Sequence, residues 1–261
     1  MKILFVTFYY PPFNSIGAIR TGKTVQYLKE MGHDVDVITA ADQPLEPTLE
    51  MTLLTGKTHY TNWINVNWVA EFFSGGRRKI ASQGFAIGNG KLNFMSGLGN
   101  LYKKWLNVPD GQIGWYPFAL MRGRAQLKLQ SYDLIFASCW PVTSLLVAWK
   151  LSKKHGVPWV AEMRDLWTLS PYLNLPKWRL SLEKKLEKII LRTAIGFVTV
   201  SEPLARDLRT LVDRPVEVIN NGFDPKDYPE KKSTNNSNAK IKIIHTGTIY
   251  PGKRDPSILF K

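Results

Sequence analysis

Only one cysteine, Cys139, occurs in the 261 residues, which excludes an internal disulfide framework and any metal site built from a cysteine cluster. No window supplies eighteen clean apolar residues. The nearest, 134–149, is interrupted by Ser138, Pro141, Thr143 and Ser144, so a membrane-spanning helix is not expected. The N-terminus lacks the small-residue cleavage site of a secretory leader, and with a lone thiol a reducing cytoplasm is the simplest setting. Acidic residues are also scarce, 21 against 35 Lys and Arg, and there is no dense carboxylate cluster to hold a metal ion. The resulting net charge of +14 raises the local concentration of anions of any kind, from nucleic acid to lipid headgroups to phosphorylated metabolites.

Short apolar, β-branched runs recur at 3–8, 35–39, 134–138, 159–163, 197–201 and 216–219. Between them lie stretches of helical period at 18–31, 142–154, 178–193 and 203–211. This alternation predicts an α/β fold, a doubly wound parallel sheet with helices on both faces. Ligands of such sheets bind outside the carboxyl ends of the strands, which directs attention to the turns at 9–17, 138–141, 162–168 and 220–224.

Residues 17–24, GAIRTGKT, match the phosphate-loop pattern G-x-x-x-x-G-K-[ST] through Gly17, Gly22, Lys23 and Thr24. A phosphate loop follows its strand directly, whereas here residues 9–16 intervene, and Gly17 is expected to open a helix that already contains Lys23. A nucleotide-binding loop at Gly17–Thr24 is therefore the weaker alternative. The same turn offers another anion site: Gly17 permits close approach at the first helical turn, the helix dipole is positive there, and Arg20 follows one turn in.

The stretch "ILFVTFYYPPFNSIGAIRTGKTVQYLKEMGHDVDVITA" resembles the opening of glycosyltransferase family 4, enzymes of the GT-B fold, including the Gly32-His33-x-Val35-x-Val37-x-Thr39 element. "DLIFASCWPVTSLLVA", "PWVAEMRDLW" and "GFVTVSEPLARDL" with "VEVINNGFD" continue the resemblance in order, over residues 1–43 and 108–261. It implies an N-terminal Rossmann-like acceptor-side domain at 1–224, a linker at 225–240, and the first strand and turn of a C-terminal donor-binding domain at 241–261. The implied chemistry is sugar transfer from a nucleotide-diphosphate donor with retained anomeric configuration, to a glycan or lipid-linked acceptor in surface polysaccharide synthesis. No metal and no cofactor is expected. A chain ending at 261 is expected to be inactive alone, because the paired-glutamate segment of the donor domain would lie beyond it.

Carried onto this sequence, the resemblance implies Asp165 and Glu162 as the carboxylates that orient or deprotonate an acceptor hydroxyl. It implies Gly17, Arg20, Arg164 and Asn221 as substrate-binding, and Gly247, Lys253 and Arg254 as the donor pyrophosphate loop. Arg164 stands where many relatives carry histidine.

Two surface readings complete the expectations. From 72 to 109 there are six basic residues, Arg77, Arg78, Lys79, Lys91, Lys103 and Lys104, and no acidic one, interleaved with Phe72, Phe73, Phe85, Phe94, Tyr102 and Trp105. Such a mixture suits an anionic membrane surface and a peripheral position on the inner face of the cell membrane. It would also suit single-stranded nucleic acid, but no reader motif accompanies it and no nucleic acid partner is expected. The helix at 178–193 is expected to cover the sheet with Trp178, Leu182, Leu186 and Ile189, leaving Glu183 and Lys188 solvated.

Overall fold

The computed structural model describes residues 1–43, 45–49, 57–67, 107–171, 173, 175–227 and 257. Seven strands, β1 (Lys2–Val6), β2 (Asp34–Ala40), β3 (Thr58–Thr61), β4 (Leu134–Cys139), β5 (Trp159–Met163), β6 (Gly196–Thr199) and β7 (Val216–Val218), form one sheet. Their order is β3-β2-β1-β4-β5-β6-β7, and every neighbouring pair is parallel. The order reverses between β1 and β4, so a crevice opens at their carboxyl ends.

Strands covered on both faces must be apolar on both, and β1 is. Ile3 and Phe5 pack with Val35 and Val37 of β2 and with Val25 of helix α1 (Ile16–Glu30). Leu4 and Val6 enter the larger core on the other face, with residues of α2 (Tyr116–Leu129), α3 (Thr143–His155), α4 (Lys177–Leu191) and α5 (Glu202–Arg209). Ser15 caps α1, its Oγ accepting the Ala18 N–H at 3.0 Å. The helix thus begins at Ile16, one residue before Gly17. At the end of α3, Gly156 takes φ +72° in the left-handed cap position that a side chain would strain.

Two elements carry too little periodic signal to be anticipated. β3 is a four-residue edge strand, Thr-His-Tyr-Thr, with almost no apolar content. Helix α2 buries Ala119, Leu120, Gly123 and Gln126 while exposing Met121 and Leu129, which erases the usual stripe.

The orientation of α4 overturns most of the expectation for 178–193: Leu186 packs against the core and Lys188 is exposed as expected, but Glu183 is buried and the other three apolar residues face outward. Its buried face is Arg179, Glu183, Glu187, Ile190 and Leu191, while Trp178, Leu182 and Ile189 are 45%, 48% and 48% exposed. The reason is local polarity. Under the helix lie the Trp167 indole, the Thr168 N–H and hydroxyl and the Asn107 carbonyl, all of which need partners when buried. Glu183 accepts from Trp167 Nε1 at 2.8 Å and pairs with Arg179 Nε at 2.7 Å. Glu187 accepts from the Thr168 N–H at 3.3 Å and from its hydroxyl. Burial pushes the Glu187 carboxyl above the usual range, with the Thr168 bonds working against it. In α1, Val25 is buried while Tyr27 and Met31 face outward.

Candidate functional site

Four turns meet at the carboxyl rim of the sheet: those after β1, β4, β5 and β7. What holds them together is the octet 17–24, read as one side of a helix. Thr21 Oγ1 donates to the Tyr9 carbonyl at 2.8 Å, tying α1 to the turn after β1. Arg20 reaches across to β5 and to the turn after β7. Its Nε pairs with Glu162 Oε1 at 2.9 Å, and its two terminal nitrogens donate to the Asn220 carbonyl (3.2 Å), Asn221 Oδ1 (3.0 Å) and the Ile219 carbonyl (3.0 Å).

The second carboxylate oxygen of Glu162 accepts from Ser138 Oγ, its register partner on β4. Glu162 is 1% exposed and both its oxygens are engaged. A carboxylate so placed braces β4, β5 and α1 through one buried charge pair.

Arg164 bridges the remaining turns. Its Nε donates to the Cys139 carbonyl and one terminal nitrogen to the Trp140 carbonyl, each at 2.8 Å. The guanidinium lies against Gly17: a Cβ there would meet Arg164 Nη1 at 2.6 Å. Gly17 is thus a close-approach glycine, and the turns at 9–17 and 164–165 form a single corner. That corner is electropositive, combining the guanidinium with the N-terminal end of α1. Asp165, next in sequence, is exposed at the same rim. A cation beside a helix N-terminus receives anionic oxygens, and an exposed carboxylate next to it accepts a hydrogen bond from a hydroxyl.

Burial shapes the titration of the neighbours. The Tyr9 hydroxyl is pushed up to about 12, chiefly by burial and further by Asp110, with Arg164 opposing. Cys139 is fully buried, and burial pushes its thiol well above the ordinary value, so it stays a neutral packing group. Asp110 accepts from the Thr143 N–H (2.8 Å) and hydroxyl (2.7 Å), securing the start of α3 beside the β4 turn. Burial raises its pKa despite those bonds.

The residues named from sequence are therefore distributed as follows. Gly17, Arg20, Glu162, Arg164 and Asn221 converge on one rim through direct contacts, with Asp165 at its exposed edge. Gly247, Lys253, Arg254, the basic aromatic segment at 72–106 and most of the 225–240 stretch lie outside the described residues. Lys23 does not enter the corner at Gly17. Its ammonium is bound by Asp224 Oδ2 and Asp227 Oδ1, both at 2.7 Å, which removes the lysine that a nucleotide-binding loop at Gly17–Thr24 would need. That tie, the Ser138 bond and the Asp110 cap were missed from sequence. Asp224 had a visible signal, since it ends the N-G-F-D stretch; Ser138 and Asp110 had none, because their partners are 24 and 33 residues away.

With this geometry in view, the comparisons are consistent. The family model described as Glycosyltransferase Family 4 matches residues 19–227, well over half of the chain. Among solved structures, a sucrose-phosphate synthase from Thermosynechococcus elongatus superposes with a TM-score of 0.54 at 16% identity, over 87% of this chain and 49% of that one. The chain thus spans about half the length of that neighbour. HepE of Anabaena, solved in complex with UDP and glucose, aligns at TM-score 0.44 and 17% identity, over 86% of this chain and 45% of that one. At 16% identity the likeness to the sucrose-phosphate synthase speaks for the fold alone. No curated protein matches.

Proposed function

The chain belongs to Glycosyltransferase Family 4, and from that premise we propose that it forms the acceptor-side half of a retaining, nucleotide-sugar-dependent hexosyltransferase. The acceptor is a glycan or lipid-linked hydroxyl on the route to a surface polysaccharide, met at the cytoplasmic face of the membrane. The observation that carries this reading is the corner where the Arg164 guanidinium lies on Gly17, with the exposed Asp165 carboxylate beside it.

Transfer releases a nucleoside diphosphate, and the charge growing on its oxygens must be stabilised as the glycosidic bond breaks. The N-terminal end of α1 and Arg164 supply fixed positive charge for an anionic or strongly polar group at the rim. Asp165 orients the acceptor hydroxyl and draws on its proton. Glu162 and Arg20 act by positioning: their buried pair sets the spacing of the β1, β5 and β7 turns, so their loss displaces the corner as a whole. Gly247, Lys253 and Arg254 are proposed for the donor pyrophosphate.

The test is transfer by the protein in its full reading frame, with radiolabelled UDP-, GDP-, ADP- and dTDP-hexoses offered with soluble glycans and with polyprenyl-phosphate-linked sugars. Label is expected in one acceptor class, with the anomeric configuration of the donor retained by NMR. Asp165→Asn is expected to lower kcat by about a hundredfold or more at an unchanged unfolding midpoint. Intact donors throughout, or an Asp165→Asn variant as fast as the parent, would overturn the assignment.

A further inference from the structure

Helix α4 turns an apolar stripe toward solvent. Leu182 and Ile189 are 48% exposed, and the Trp178 ring at the start of the helix is 45% exposed. At 100° per residue these three fall within one narrow stripe along the helix. Both acidic residues of α4, Glu183 and Glu187, are turned inward to the Trp167 and Thr168 partners described above. The outward surface is left purely cationic: Lys177, Lys184, Lys185 and Lys188 are exposed, as is Arg192 just past the last turn. None of these five makes an ion pair with a described residue.

From this we infer that the outer face of α4 is a docking surface for an anionic lipid bilayer, lying in the plane of the interface. Charge complementarity selects the occupant. An apolar stripe alone would suit another protein, but a stripe flanked by five cations and no acid repels a second copy of this basic chain and attracts anionic headgroups. A tryptophan at the end of such a stripe is placed where its ring sits among headgroups. Insertion across the bilayer is not implied, since among the described residues no helix is long and apolar enough to span it. The geometry also has a functional sense. α4 follows the turn after β5, so its N-terminal end, with Trp178, lies toward the rim that carries Arg164 and Asp165. A helix resting in the headgroup layer would hold that rim close to the membrane surface. The inference rests on the lipid-linked reading of the acceptor, but its test reads partition without turnover, so a failed transfer assay and a failed docking assay remain separate results.

Cys139 is the sole native thiol and is fully buried, so Leu182→Cys takes an environment-sensitive fluorophore at one position. The labelled chain is mixed with sedimentable vesicles of pure phosphatidylcholine, or with 30% phosphatidylglycerol added, at 50 and 500 mM salt. Co-sedimentation and a blue shift are expected with the anionic vesicles at low salt, and neither with the neutral ones. Lys185→Ala/Lys188→Ala should weaken partition by about 25-fold, about fivefold per cation, without changing the unfolding midpoint. No binding to anionic vesicles would overturn the inference. So would binding that leaves the probe unshifted and is indifferent to the two lysines, since another surface would then carry it. A probe shift without lipid that scales with protein concentration would assign the face to self-association and would equally overturn it.

Discussion

Gly17→Ala puts the corner between α1 and the Arg164 turn under direct test. The new methyl would sit 2.6 Å from Arg164 Nη1, 3.3 Å from Nη2 and 3.4 Å from Cζ. Ordinary contact begins near 3.4 Å, so the guanidinium must retreat by 3.4 − 2.6, or 0.8 Å. It is not free to do so at no cost, because it donates to the Cys139 and Trp140 carbonyls at 2.8 Å each. A retreat of that size along either bond takes it to 2.8 + 0.8, or 3.6 Å, beyond hydrogen-bonding distance. One charge-assisted bond lost costs about 1.5–3 kcal/mol. Against this, alanine is favoured over glycine within a helix by about 1 kcal/mol at most. The net expectation is destabilisation by about 1–2 kcal/mol in urea unfolding. The sharper measurement is the same substitution in an Arg164→Ala background, where no guanidinium stands in the way. There Gly17→Ala should stabilise by about 0.5–1 kcal/mol from helix propensity alone, giving a coupling of about 1.5–3 kcal/mol between the two sites. Equal effects in both backgrounds would refute the claim that Arg164 is the reason position 17 is glycine.

Other consequences are open to measurement. Arg20→Met leaves Glu162, whose side chain is 2% exposed, as an uncompensated buried charge, and should cost about 3–5 kcal/mol in urea unfolding; a loss below about 1 kcal/mol would contradict the bracing role. Lys23→Met should leave the fold intact but speed amide exchange in residues 219–227, since Asp224 and Asp227 lose their shared cation; nucleotide triphosphate binding, if seen, should not change. Lys23 holds the Asp224 carboxyl below its usual 3.8, so that tie is fully present above pH 3.8 and is lost as the pH falls through the still lower folded value. His59 and His155 are held below 6.5, chiefly by burial. The native state then binds fewer protons than the unfolded chain, and stability should fall as the pH drops through 6.5. Asp110 and Glu187, raised by burial, act with the opposite sign. Comparing urea midpoints at pH 7.5 and 5.5 for the parent and a His59→Gln/His155→Gln variant isolates the histidine share; an unchanged pH slope would show that they do not contribute.

The division between what was legible in the chain and what was not follows the range of the interactions. β1 could be read because a strand covered on both faces must be apolar in consecutive residues, and 3–6 are; β2 could be read from its β-branched Val35, Val37, Ile38 and Thr39 instead, since Asp34 and Asp36 interrupt the run. The start of α1 falls at Ile16, one residue before the expected Gly17, because the Ser15 cap on the Ala18 N–H fixes it there, and that cap was not read. The octet 17–24 shows where local reading ends. Its letters match a phosphate loop, and its position after a long turn argued against that match. Only the folded chain shows what each residue does: Gly17 makes room for Arg164, Arg20 spans to Glu162 and Asn221, and Lys23 meets Asp224, 201 residues onward.

Helix α4 makes the same point from the opposite side. Its pattern fitted an amphipathic helix with Trp178, Leu182 and Ile189 inward, and that is how a helix on an apolar sheet is placed. The surface beneath it carries buried donors from Trp167 and Thr168, and unsatisfied donors cost more than exposed leucines. The chain alone determined that residues 177–191 form an amphipathic helix; the polarity of the neighbours, assembled from 107, 167 and 168, decided which face is inside.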